Sequence, residues 1–326
     1  KREGNLIPNL NENKIEYKLF SIDFSKLNTK FIKYLILLKF LFFLRKLKPS
    51  FLFPFTYVPN ILCSCVWIFT GAKKCYWNQR GLENNSLSII EKIAIKMKPQ
   101  YIANSFTCAS YISQRHNLKI DSVKIINNAI DPNKIKFNKS YWKSKFNLIG
   151  SETIAIMVAN FYPEKRHDIL LKAWSKLCLS YSNKTLKLIL VGYSPTEIGL
   201  MSIKSLAFDL NLYNNIIFIE SCDDISGLCN ICDVGILTSE SEGCSNSILE
   251  YMYHGVIPVA SDISANTEIL SKNYPFLFNL NNIEDLVLKL SKIIDYEKTK
   301  IIDSNKKILN RKYSLKNLKK KYIELI

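Results

Sequence analysis

Glu242 and Glu250 are carboxylates eight positions apart in a stretch reading SEGCSNSILEYMYHGVIP from Ser241 to Pro258. An ionised carboxylate only accepts hydrogen bonds, so such a pair suits the hydroxyl groups of a ligand, for example those of a ribose and a sugar ring. It is not an obvious general acid and base. A plainer alternative makes Glu242 a charge at a helix start and Glu250 a solvated residue. Between the two acids, Gly243, Ser245 and Asn246 are small or capping residues fit for a helix N-terminus, and Cys244 would act there through its backbone N–H. Free N–H groups and the positive end of a helix dipole at that point would hold a phosphate or a polar sugar without any basic side chain.

The elements that must position these groups can be read on either side. The apolar run Val234 to Leu237 is short and β-prone, as a buried strand of a parallel sheet should be, and it ends in the polar loop Thr238 to Glu242. Ile248, Leu249 and Met252 then give one apolar helix face, which Gly255 stops, with Pro258 beyond.

This stretch resembles the donor-sugar loop of retaining family-4 glycosyltransferases of the GT-B fold. The family pattern is Glu, seven residues, Glu inside a Glu-Gly…Leu-Glu-Ala-Met…Gly-x-Pro-Val frame, and Tyr251 stands where the family usually has Ala. Ser261-Asp262 and Glu268 match the Ser-Asp…Glu stretch that follows. Earlier, YIANSFTCASYI at 101–112 is similar to an Ala-Asn-Ser segment that starts a helix, and IINNAIDP at 125–132 to an Asn-Gly-Ile-Asp element, with Ala129 where Gly is common. In ANFYPEKRHD at 159–168, Lys165 matches a lysine that the family places on the donor's diphosphate. The family's arginine position is occupied by Asn160, and Arg166 is the nearby substitute. The likeness covers residues 50–326 and is strongest across 153–270.

The resemblance implies an α/β fold of the GT-B class, two Rossmann-like doubly wound parallel-sheet domains facing a cleft. Residues 1–145 would form the acceptor-side domain and 146–313 the donor-binding domain, with a last helix at 314–326 packing back on the first. It implies a retaining, metal-independent transferase that moves a sugar from a UDP- or GDP-linked donor to a glycan or lipid-linked glycan. Lys165 and Glu242 would be catalytic, the first on the departing diphosphate and the second on the transferred sugar. Glu250 would bind the donor's ribose, and Asn160, Arg166, Gly243, Cys244, Ser245 and Asn246 would complete the donor site. The loop near Glu220–Asp224 would receive the base. Asn78 and Arg80, after a strand with Trp77, are the acceptor-side candidates. No metal site and no cofactor beyond the donor itself is expected. Asn160 and the missing opening strand motivate an alternative, a degenerate binder of nucleotide sugars; a basic nucleic-acid-binding protein is a lesser alternative that rests on charge alone.

With 326 residues, 48% of them hydrophobic, the chain is long enough for two cored domains and has the composition of a globular protein. Its net charge of +17 favours acidic partners: nucleotide sugars, an anionic membrane surface or nucleic acid. The lysines are scattered and no nucleic-acid motif accompanies them, so specific nucleic-acid binding is not expected. Nine cysteines, mostly in apolar runs, resemble no secreted disulfide framework and suggest a reducing cytoplasm. Cys229 and Cys232 have redox or zinc spacing without a second pair, and are expected to line a buried helix face.

No signal peptide is visible, the chain begins at Lys1, and neither the opening strand nor the Gly-rich turn of a doubly wound domain precedes Lys14; a missing N-terminal piece is the expectation. Residues 15–24 read as a strand. Residues 29–47 read as a helix whose Lys33, Lys39 and Arg45 interrupt an apolar surface, suited to lying on an anionic membrane or to core packing with snorkelling lysines. The uncharged stretch from Pro49 is broken by prolines and parses as a strand near 50–55, a turn at 58–60, a helix at 61–70 and a strand at 73–78 rather than as a span. Helices and strands alternate onward through 91–127, and again from the strand Thr153–Val158 to the C-terminus, as in an α/β layer protein.

Overall fold

The computed structural model describes residues 7–20, 30–83, 85–130, 135–194, 196–294, 296 and 299–326. The chain packs as two compact units, residues 1–78 with 86–100, and residues 79–85 with 101–326.

The first unit holds helices α1 (Ile7–Glu12), α2 (Lys30–Leu47), α3 (Tyr57–Val66) and α4 (Ile89–Lys96), and strands β1 (Phe51–Leu52) and β2 (Lys74–Gln79). β1 and β2 run parallel, Phe51 opposite Lys74. Residues 15–20, expected to open a strand, carry no regular structure, and Ile15, Tyr17 and Leu19 are exposed. A β-prone pattern needs a neighbouring ladder, and none of the described residues supplies one; residues 21–24 lie outside the described residues. The turn expected at 58–60 is instead the first turn of α3. Pro59 is tolerated there because a first-turn N–H has no helical acceptor to lose.

Trp77 and Asn78 lie inside β2, as the strand expected at 73–78 implies, and are fully buried, so they do not follow the strand as acceptor-side groups. Asn60 on α3 clamps the Asn78 backbone, donating from Nδ2 to its carbonyl at 2.9 Å and accepting from its N–H at 3.0 Å.

The second unit opens with β3 (Gln100–Ala103), α5 (Phe106–His116), β4 (Val123–Ile125) and α6 (Lys139–Lys145), with β3 and β4 parallel. Then come β5 (Thr153–Val158), α7 (His167–Ser180), β6 (Leu186–Val191), α8 (Glu197–Asp209), β7 (Ile216–Ile219), α9 (Ile225–Cys229) and β8 (Val234–Leu237). The chain ends in α10 (Asn246–Tyr253), β9 (Ile257–Ser261), α11 (Ser264–Leu270), β10 (Leu277–Phe278), α12 (Ile283–Ile294), α13 (Thr299–Lys312) and α14 (Leu315–Ile323).

Strands β5 to β10 form one parallel sheet in the order β10-β9-β8-β5-β6-β7. Their near-continuous apolar runs, such as Leu186–Val191, are what a strand covered by helices on both faces requires. α7 supplies part of that cover, burying Ile169, Leu170, Ala173, Trp174 and Leu177. The chain travels outward from β5 through β6 to β7, then returns to lay β8 on the other side of β5. At this reversal the loops after the two strands part in opposite directions, and the crevice beyond their carboxyl ends is where open α/β sheets bind ligands.

Tyr251 braces that reversal from below. Its hydroxyl oxygen accepts from the Val158 N–H at 2.7 Å and donates to the Ile236 carbonyl at 3.4 Å, tying the ends of β5 and β8 together. The ring fits only because residue 235 is glycine; a Cβ there would overlap it. The polar stretch 135–150 is less of a plain linker than its composition suggests. It contains α6, whose buried Trp142 donates from Nε1 to Asp224 at 3.0 Å. At the C-terminus, Lys321 of α14 donates to the Ile125 carbonyl at 3.0 Å, and Ile130 bridges to Ser314.

Candidate donor site

Two loops build the site, and hydrogen bonds stitch them together. After β5 the chain makes a short turn at Pro163–Lys165, and Arg166 follows in the left-handed region at φ 51°. Thr238, at the end of β8, donates to the carbonyls of Lys165 and Arg166 at 2.8 and 3.0 Å and so holds that turn in place. The Glu240 N–H donates to the Glu164 carbonyl at 2.9 Å. Above these, Lys165 Nζ donates to Glu242 Oε1 at 2.6 Å, a pair in which both side chains are largely buried. Ser239 donates to the same Oε1 at 2.7 Å, so Oε2 keeps its accepting capacity among the described residues.

These groups border a cavity of about 500 Å³. Asn160 and Lys165 line it from the β5 loop, Gly192 and Tyr193 from the end of β6, and Glu220, Ser221 and Cys222 from the end of β7. Glu242, Cys244, Ser245, Asn246 and Glu250 complete it from the β8 loop and α10. The start of α10 carries no side-chain cap. Ser245 would be the usual cap, but its hydroxyl donates to Asn266 Oδ1 at 2.7 Å instead of accepting from the helix. Among the described residues the first N–H groups of α10 are thereby left without a side-chain partner, the arrangement that favours an anion.

The Glu250 carboxylate makes no hydrogen bond or ion pair among the described residues, and burial pushes it up to about 7. Burial likewise pushes the Cys244 thiol up to about 12, so it is a neutral wall of the cavity rather than a nucleophile. Behind the β5 loop, burial brings His167 down to about 4; its neutral ring stacks on Phe161 with centroids 4.8 Å apart.

The residues singled out from sequence therefore divide. Asn160, Lys165, Glu242, Cys244, Ser245, Asn246 and Glu250 come together around one cavity. Gly243 is buried behind it, so close to the Arg80 carbonyl that a Cβ would collide with that oxygen. Arg166 faces elsewhere: its guanidinium pairs with Asp168 at 3.0 Å and with Glu240 at 3.6 Å, because the left-handed backbone turns it off the cavity side. Asn160 does more than fill the place of an arginine, since its Oδ1 accepts from the Tyr193 N–H at 3.0 Å. Of the Glu220–Asp224 loop, Asp224 is spent structurally, accepting from the N–H groups of Lys136, Phe137 and Gly227. Asn78 is buried in β2, whereas Arg80 lines a second cavity with Asn128, Asn246 and Glu250. Ser239, Tyr193 and Asn128 join the site beyond the residues expected of it; Ser239 stands three residues before Glu242 and Asn128 within the IINNAIDP element, whereas Tyr193 has no local signal.

Residues 138–308 match the family model described as Glycosyl transferases group 1. The chain belongs to this family. It is 28% identical over 179 residues to an uncharacterized glycosyltransferase of Haemophilus influenzae, a match covering 54% of this chain and 49% of that protein. Among solved structures, a glycosyltransferase from Rickettsia africae superposes with a TM-score of 0.81 at 20% identity, over 99% of this chain and 87% of that one. HepE of Anabaena, in complex with UDP and glucose, also gives 0.81, at 17% identity over 99% and 89%. These likenesses establish the fold as GT-B, with two parallel-sheet α/β domains, as the sequence led one to expect. The chain spans between 37% and 62% of the length of the curated relatives it matches.

Proposed function

We propose that this family member takes a nucleoside-diphosphate sugar into the cavity beyond β5 and β8 and transfers the sugar, with retention of configuration and without a metal, to a glycan or lipid-linked glycan. The observation that carries this reading is the joint placement of Lys165, Glu242, Glu250 and the uncapped start of α10 around one cavity. A departing diphosphate gathers negative charge, so its partners must hold it more strongly in the transition state than before it. Lys165 Nζ gives one of its three protons to Glu242 and keeps two for phosphate oxygens, alongside the N–H groups of α10. Glu242 offers Oε2 to a sugar hydroxyl, and Glu250 accepts from the ribose. The HepE complex with UDP and glucose supports a donor of this chemistry.

In this reading residues 1–145 serve the acceptor and 146–313 the donor. Among the described residues no helix is long and apolar enough to cross a membrane. α2 exposes Tyr34, Leu35 and Phe42 beside Lys39, Arg45 and Lys46, and we assign it peripheral contact with an anionic cytoplasmic leaflet. Retention of all protein in the supernatant with phosphatidylserine vesicles would remove that assignment.

Asn160 and the outward Arg166 favour a second reading, a nucleotide-sugar binder without turnover, because among the described residues Lys165 is the one cation lining the cavity. Calorimetric titration with UDP, GDP and their sugar conjugates, on the chain and on Glu250→Ala, tests both. Binding of one nucleotide that the variant weakens is expected; release of free nucleotide from the conjugate with an acceptor present marks the transferase, and its absence the binder. A folded chain that binds none of them refutes both.

A further inference from the structure

Arg80, Asn128 and Asn246 form a line of hydrogen bonds ending at the first residue of α10. Arg80 Nη2 donates to Asn128 Oδ1 at 2.7 Å, and Asn128 Nδ2 donates to Asn246 Oδ1 at 2.7 Å. The three side chains line a cavity of about 270 Å³, and Asn246, with Glu250, also lines the proposed donor cavity.

A carboxamide on its own can present either its oxygen or its NH₂ group to a neighbour. A guanidinium cannot, because all its polar hydrogens donate and it has no acceptor. Arg80 therefore obliges Asn128 to turn its oxygen toward it, which sends the Asn128 NH₂ toward Asn246 and obliges Asn246 to answer with oxygen. Asn128 is buried, and the reversed arrangement would set its NH₂ against the guanidinium, donor facing donor. One polar group then remains at the end of the line, Asn246 Nδ2, for which no described residue is an acceptor.

We propose that Arg80 is a positioning residue that acts through Asn128 to fix the polarity of Asn246, so that Nδ2 donates to a phosphate oxygen of the bound nucleoside diphosphate beside the uncapped N–H groups of α10. The proposal rests on the donor-cavity reading above. It assigns the second cavity a role in selecting an oxygen-rich anion, and it gives Arg80 a function without contact to ligand.

The test is a double-mutant cycle, read as UDP and GDP affinity by calorimetry on the full chain. Glu at position 80 only accepts, so Arg80→Glu inverts both amides and turns the Asn246 oxygen toward the phosphate. Arg80→Glu and Asn246→Ala should each weaken the nucleotide that the wild type binds by about tenfold or more, the range of a hydrogen bond to a charged group. The double variant should be no weaker than Asn246→Ala alone, since Arg80 then has nothing left to orient. Arg80→Lys, which also only donates, should restore affinity to within about threefold, by the same donor-only argument. Losses that add in the double variant would overturn the relay, because a general electrostatic or folding effect of Arg80 persists without Asn246. Asn246→Asp keeps the test valid if Arg80→Glu does not fold: its second oxygen faces the phosphate, so it should bind more weakly than Asn246→Ala, and wild-type affinity in it would overturn the relay. If the wild type binds neither nucleotide, the donor reading falls and the relay with it; if it binds and Glu250→Ala weakens it while the cycle is additive, the relay alone falls.

Discussion

The region around Glu242 and the region around Glu250 open onto the same cavity and are held in opposite ways. At Glu242 a lysine and a serine converge on one carboxylate oxygen, so the charge is balanced and the side chain is aimed before any ligand arrives. Two turns along α10, Glu250 is half-buried with no partner among the described residues, and burial alone raises its carboxyl to about 7. The first acid is pre-oriented at the cost of part of its accepting capacity. The second keeps all of that capacity and bears the desolvation penalty until hydroxyl groups satisfy it.

The comparison breaks most sharply at Lys165. Lys165→Ala should lower the rate of sugar transfer by about a hundredfold to a thousandfold, the usual loss when a preorganised donor to a developing anion is removed. Nucleotide affinity should fall much less, and a rate within a few-fold of wild type would show that the lysine serves only to steady Glu242.

Glu250 sharpens the contrast through pH. A protonated carboxyl has lost acceptor capacity, so UDP or GDP affinity should rise as pH rises toward and past about 7, and fall about tenfold per unit well below it if only the ionised form binds. Glu250→Gln should flatten that profile, and a wild-type profile already flat from pH 5.5 to 8.5 would contradict the assignment. Stability carries the opposite sign. The folded carboxyl lies near 7, above its ordinary 4.5, so its contribution is full below 4.5 and is lost as pH rises through about 7. Glu250→Gln should therefore gain on the wild type in melting experiments between pH 5 and 8, by on the order of 2 kcal/mol once partial exposure is allowed for.

The smallest effect belongs to Ser239. Ser239→Ala removes one of two bonds to Glu242 Oε1 while Lys165 remains, so turnover should drop only a few-fold, in keeping with about 0.5–1.5 kcal/mol for a single hydrogen bond. A loss as large as that of Lys165→Ala would make the hydroxyl, rather than the ammonium, the group that aims Glu242.

Much of this contrast is absent from the amino-acid order. The strand, loop and helix start around Glu242–Glu250 are legible because each has a local cause: an apolar run, small and polar residues, then an apolar face ending at Gly255. The same is true of α2, whose sequence reads as a helix, and of β5 to β9, whose apolar runs read as strands. Side-chain direction in loops has no such signal. Arg166 stands one residue from Lys165, yet its left-handed backbone sends it to Asp168 and Glu240. Asn78 reads as a polar residue at a strand end and is in fact clamped inside β2 by Asn60, a pairing across 18 positions that no local pattern announces. Residues 15–20 have strand composition without a ladder to join, and 135–150 have linker composition but hold α6 because Trp142 finds Asp224 far along the chain. The Lys165–Glu242 pair is likewise a contact across 77 positions.

Tyr251 and Gly235 have a bearing on how this chain can change over generations. Alanine at 235 with Tyr251 in place meets the ring, and alanine at 251 with Gly235 in place empties a buried space beneath the floor of the cavity, so each single step passes through a damaged protein. A lineage can exchange this arrangement for one with a small residue on the helix and a larger one on the strand only by altering both, in near succession or behind some earlier gain in stability. The two positions are free to vary as a pair and are confined as individuals.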